Sequence, residues 1–114
     1  MRTLVKAAFL VPVAALLLAT AADARGPSFS CRGYLHRPER LICNDSELSD
    51  LDWQVARLYR KLGGPNGADD DVRDYARDAL QRRNDCTSAR CIRRILRDEI
   101  DYLENADSDN SGGY

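Results

Sequence analysis

The chain has 114 residues, with 17 basic against 18 acidic side chains and a formal net charge of −1. That balance lacks the basic excess of a nucleic-acid-binding protein. The length allows a single small domain and no second one.

Residues 1–24 read as a cleavable export signal. Arg2 and Lys6 supply the positive start, residues 7–19 an apolar run, and Ala22-Asp23-Ala24 small residues before a cut at Arg25. The run is shorter than the ~20 residues that a membrane span requires. Cys31 does not stand directly at the cut, where a lipid anchor would need it. The expected product is a periplasmic or secreted protein with no membrane anchor. Without the leader the chain keeps 15 basic and 17 acidic residues, and Lys61 is its only lysine.

Residues 26–38 are irregular, broken by Gly26, Pro27, Gly33 and Pro38. Pro38 suits the start of a short helix running through Cys43. Asp45 or Ser46 then caps a second helix. Leu48, Leu51, Val55, Leu58, Tyr59 and Leu62 recur at three- and four-residue steps and form its apolar stripe. Gly63-Gly64-Pro65 ends that helix, and residues 63–68 form the main inter-helix loop.

Asp69, Asp70 and Asp71 open a third helix, where acidic side chains oppose the positive end of the helix dipole. Val72, Tyr75, Ala76, Ala79 and Leu80 give it a small inner face. After a break, Thr87 or Ser88 caps a fourth helix carrying Ile92, Ile95, Leu96, Ile100 and Leu103. Residues 105–114 read as a disordered polar tail. The fold expected over residues 25–104 is an all-α bundle, one short N-terminal helix plus three longer ones. No strand alternation or internal repeat stands out.

Four cysteines in an exported chain argue for two disulfides, which offset the thin core of so small a domain. They allow three pairings. The local one, Cys31–Cys43 with Cys86–Cys91, is favoured because it pins the N-terminal segment to its helix and closes the corner between helices three and four. The sequence leaves the crossed pairings open. Structural zinc wants two closely spaced cysteine pairs, and only Cys86 and Cys91 qualify. No Cys-x-x-Cys motif is present for thiol redox chemistry. Asp107-Ser108-Asp109-Asn110-Ser111-Gly112 imitates the start of a calcium loop, but the chain stops at Tyr114 before the glutamate such a loop requires. His36 is the single histidine, with no nucleophile beside it in sequence. No catalytic residue, metal or cofactor is expected. Trp53 lies beside the apolar stripe and is expected to pack partly into the core.

Several short motifs follow one another in a specific order: Pro27-Ser28-Phe29-Ser30-Cys31, Glu39-Arg40-Leu41-Ile42-Cys43, Glu47-Leu48-Ser49-Asp50-Leu51-Asp52 and Leu58-Tyr59. Arg83-Asn84-Asp85-Cys86, Cys91-Ile92 and the stretch from Ile100 to Leu103 complete the set. Together they resemble the LprI-like lysozyme-inhibitor domain family over nearly the whole mature chain. The chain departs from that pattern at four places. Ala76 and Ala79 stand where a glutamine and a tryptophan are usual, Leu96 replaces an aromatic, and Glu99 replaces an arginine. The resemblance implies a small exported helical domain and inhibition of lysozyme. Glu39, Asp52, Tyr59 and Arg83 fit its motif and are expected to form a polar network that holds the helices in register.

An inhibitor of a two-carboxylate glycosidase needs no catalytic groups of its own, only a rigid surface that binds the cleft. Asp69, Asp70 and Asp71 beside the loop offer acidic contacts for a basic lysozyme. Arg90 on the cysteine-flanked corner offers a fork for a carboxylate. These four are the expected partner contacts. The alternative function is a structural or interaction module of the cell envelope with another partner.

Overall fold

The computed structural model describes residues 26–111. The export-signal reading falls on residues 1–24 and so lies outside the described residues. The elements are α1 (Arg37–Cys43), α2 (Ser46–Lys61), α3 (Gly64–Gly67), α4 (Asp70–Asn84) and α5 (Ala89–Ser111). The expected short helix and three longer helices are all present. The single turn α3 sits inside the expected loop, and no strand occurs among the described residues.

Local chemistry sets the helix starts. The His36 amide donates to Glu39 Oε1 at 3.0 Å ahead of α1. Asp45 Oδ1 accepts the Leu48 amide at 3.1 Å and caps α2. Ser88 Oγ accepts the Cys91 amide at 3.2 Å at the start of α5. Such caps satisfy amides that have no partner inside the helix. Gly63 follows α2 with φ 116°, and a Cβ there would collide with the Gly67 backbone. Only glycine makes this turn without strain.

α5 is the spine of the molecule. α2 packs along it, α4 packs on another side, and α1 closes one end. Ile42, Leu48, Ile92, Leu96 and Leu103 are the largest fully buried side chains. Glu47 of α2 accepts from Arg93 at 2.7 Å and Arg97 at 2.6 Å on α5. Tyr75 of α4 stacks flat on Tyr102 of α5, with ring centroids 3.8 Å apart. The Ser49 hydroxyl donates to the Ile42 carbonyl at 2.7 Å and ties α2 to α1. Trp53 is half-buried, with the Arg57 guanidinium 5.5 Å from its ring centroid.

Both disulfides follow the local pairing. Cys31 bonds Cys43, and Cys86 bonds Cys91. The first staples the irregular N-terminal segment onto α1, and the second closes the corner between α4 and α5. No free cysteine remains among the described residues.

Two expectations need correction. The polar tail is not without structure from residue 105, because α5 continues to Ser111. Ala106 packs against the core, and Asp107 pairs with Lys61 at the end of α2 at 2.9 Å. Both lie one turn beyond the fully buried Leu103, so the inward face of the helix outlasts its apolar composition. The helical domain thus extends past the expected boundary at residue 104. Leu80 is not on the inner face of α4 either, being 48% exposed.

Candidate functional site

α2 and α4 both lean on α5 but scarcely touch each other. The small inner face of α4 is the reason. Ala79 is fully buried against α5, and Ala76 presents only a methyl where a larger side chain would reach α2. A cavity of about 200 Å³ lies between the two helices, with Leu96 and Glu99 of α5 among its walls and Leu80 and Tyr59 beside it. A second depression shares Tyr59, Ala76 and Leu80 and extends toward Pro65, Arg73 and Arg77. The two form one groove along α2 and α4.

The deep end of the groove is charged. Asp52 is 5% exposed. Its Oδ2 accepts the Ser28 amide at 2.7 Å and the Ser28 hydroxyl at 2.6 Å. Its Oδ1 accepts Arg83 Nη1 at 3.4 Å. Arg83 also donates to Asn84 Oδ1 at 3.0 Å and lies 5.8 Å from the Phe29 ring centroid. Its Nε is buried without an acceptor among the described residues. One arginine thus joins the N-terminal segment, α2 and α4.

Glu99 completes the wall from α5. It is 6% exposed, lines the cavity, and makes no hydrogen bond or ion pair with any described residue. Burial pushes its carboxyl up to about 7, opposed by the positive charges of Arg83 and Arg82 and reinforced by the negative charge of Asp52.

The expected network of four residues is assembled only in part. Asp52 and Arg83 meet, and Tyr59 lines the same groove. Glu39 does not join them, because its carboxylate is engaged with the His36 amide at the start of α1. Glu99, not one of the four, stands beside Asp52 and Arg83 in the same wall. The signal was present in the sequence, since residue 99 falls on the stripe of Ile92, Ile95, Leu96 and Leu103 at helical spacing. A carboxylate on an apolar stripe marks a buried charge. Asp52 occupies the same kind of position between Leu48, Val55 and Tyr59.

The expected partner contacts lie elsewhere. Asp69, Asp70 and Asp71 are exposed at the start of α4, with Asp70 paired to Arg73. Arg90 is exposed in the first turn of α5, just past the other end of α4. A helix of 15 residues separates these ends by roughly 22 Å, so the aspartates and Arg90 form no common patch. At the disulfide-stapled N-terminal segment, Tyr34 is 85% exposed and stands edge-on to His36.

No family model, curated protein or solved structure matches the chain. Among the described residues, no cluster of three or more potential ligands could hold a metal ion, and no helix is long and apolar enough to cross a membrane.

Proposed function

We propose that the chain is an exported, disulfide-stapled binding protein that inhibits lysozyme-type muramidases by docking a segment of the enzyme into the groove between α2 and α4. The observation that carries this reading is the groove itself, an open apolar channel with the Glu99 carboxyl at its deep end, bonded to no described residue. Monomeric domains normally close such gaps or satisfy such groups, and a concave site with convergent polar groups is where ligands bind. Three further features support it. The staples at Cys31–Cys43 and Cys86–Cys91 suit an oxidising compartment. The slight acidic excess favours encounter with basic lysozymes. The ordered motifs from Pro27 to Leu103 resemble the LprI-like inhibitor domains.

A lysis assay tests the reading. The purified, oxidised protein should slow cell-wall lysis by at least one of several lysozymes, with the effect saturating near equimolar ratio. Undiminished lysis at high molar excess against all of them would overturn the inhibitor reading. It would leave an envelope interaction module with another partner.

A further inference from the structure

We propose that the deep end of the groove is a receptor for a single aliphatic ammonium group, the side chain of a lysine on the partner protein, with Glu99 as its counter-ion. The inference rests on the binding-protein reading above but on no particular partner.

Charge complementarity selects the ligand. The deep end holds two carboxyl groups, Asp52 and Glu99, and one guanidinium in its wall, Arg83. Arg83 gives Nη1 to Asp52 and Nη2 to Asn84, with only Nε lacking an acceptor among the described residues, and the second oxygen of Asp52 is saturated by Ser28. Glu99 is therefore the one carboxyl there with no hydrogen bond or ion pair to a described residue, and it is 94% buried by its 6% exposure. An anion would meet two carboxyls, and an apolar group would strip the remaining water from Glu99 without offering a bond. A cation resolves both problems.

Shape selects the stem. Val55, Ala56, Leu80 and Leu96 give the cavity apolar walls. A lysine side chain has four methylenes and one nitrogen. At roughly 30 Å³ per heavy atom, a water molecule's share of the liquid, it needs about 150 Å³. The cavity offers about 200 Å³. An ammonium is a compact point charge with three donors, suited to one carboxylate, whereas a guanidinium seeks a flat two-oxygen fork.

The proton linkage gives the test its signature. The groups facing Glu99 are Asp52 and Tyr59 from α2 and Arg82 and Arg83 from α4. A cation binds the ionised carboxylate and displaces its proton. An alkylammonium keeps its own charge up to about pH 10. Affinity should therefore rise with pH through the Glu99 transition near 7.

The experiment is a titration of the disulfide-intact protein with n-butylammonium chloride, followed by NMR shifts of groove residues and of the Glu99 carboxyl carbon. The expected dissociation constant is on the order of 1 mM at about pH 8.5, weakening about 30-fold by about pH 5.5. n-Butanol, with the same stem and no charge, should bind at least about tenfold more weakly. Glu99→Gln should abolish the preference for the ammonium. Ala76→Leu, which narrows the cavity and keeps Glu99, should block both probes. Equal binding of butanol and butylammonium, binding unchanged in Glu99→Gln, or no groove shifts at high probe concentration would each overturn the proposal. Because no lysozyme is present, failure here is separable from failure of the lysis assay.

Discussion

Asp52 and Arg83, 31 residues apart in sequence, meet 3.4 Å apart between two helices that otherwise scarcely touch. Their side chains are only 6% and 11% exposed. The pair therefore acts as a clamp across the deep end of the groove, and Ser28 on the N-terminal segment locks Asp52 in place. Buried pairs of this kind contribute little net stability against an apolar replacement, but losing one member strands the other.

Arg83→Ala should accordingly destabilise the protein by about 3 kcal/mol and lower Tm by roughly 10 °C or more. A double-mutant cycle with Asp52→Asn checks the mechanism. The double variant should be less destabilised than the sum of the single ones, because it leaves no stranded charge. An unchanged Tm in Arg83→Ala would assign the arginine a surface role instead.

Glu99 makes stability depend on pH in the direction opposite to an ordinary ion-paired carboxylate. Its carboxyl is raised from 4.5 to about 7 in the folded chain, so the native state holds a proton that the unfolded state has released. The stabilisation is fully present below the unfolded value and is lost as pH rises through about 7. Thermal unfolding between pH 5 and 8 should show this contribution to Tm falling as pH rises. In Glu99→Gln that contribution should vanish, and the variant should be the more stable form at the alkaline end. The difference between the two proteins isolates Glu99 from the many exposed carboxylates.

The two disulfides should differ in what they hold. Cys31–Cys43 closes a separation of 12 residues, and Cys86–Cys91 closes one of 5. Loop-closure entropy puts them at about 3 and about 2 kcal/mol. Replacing Cys31 and Cys43 by serine should also release the segment that brings Ser28 to Asp52. Hydrogen exchange at the Ser28 amide should then accelerate while α5 remains protected. Replacing Cys86 and Cys91 should leave the Ser28 amide protected.

Ala76 and Ala79 should respond oppositely to enlargement. Ala79 is fully buried against α5, so Ala79→Trp should overpack the interface and destabilise the protein by about 1–3 kcal/mol or more. Ala76 borders open space, so Ala76→Leu should leave Tm unchanged or raise it. Chemical denaturation of both variants checks the contrast. Equal destabilisation would mean that the groove is not open at Ala76.

Much of this architecture is legible in the chain itself. Leu48 to Leu62 and Ile92 to Leu103 announce their helices by spacing, and Asp45 and Ser88 mark where two of them begin. The local disulfide pairing is favoured by cysteines that flank a short helix and a corner, and the structure adopts it over the crossed alternatives. The tail is less legible. Ala106 and Asp107 carry no apolar signal, yet a methyl and an ion pair suffice where α2 already lies alongside.

The sequence by itself determined the four expected helices and narrowed their caps, because these depend on residues within a few positions of one another, while the structure chose among the three possible cysteine pairings. Tertiary structure alone decided the groove. Its charged end takes Ser28 from the N-terminal segment, Asp52 from α2, Arg83 from α4 and Glu99 from α5. Which charges meet, and which lacks a partner among the described residues, depends on how far α2 and α4 stand apart on α5. These four residues lie far apart in the sequence, and only the packing of α2 and α4 on α5 brings them together.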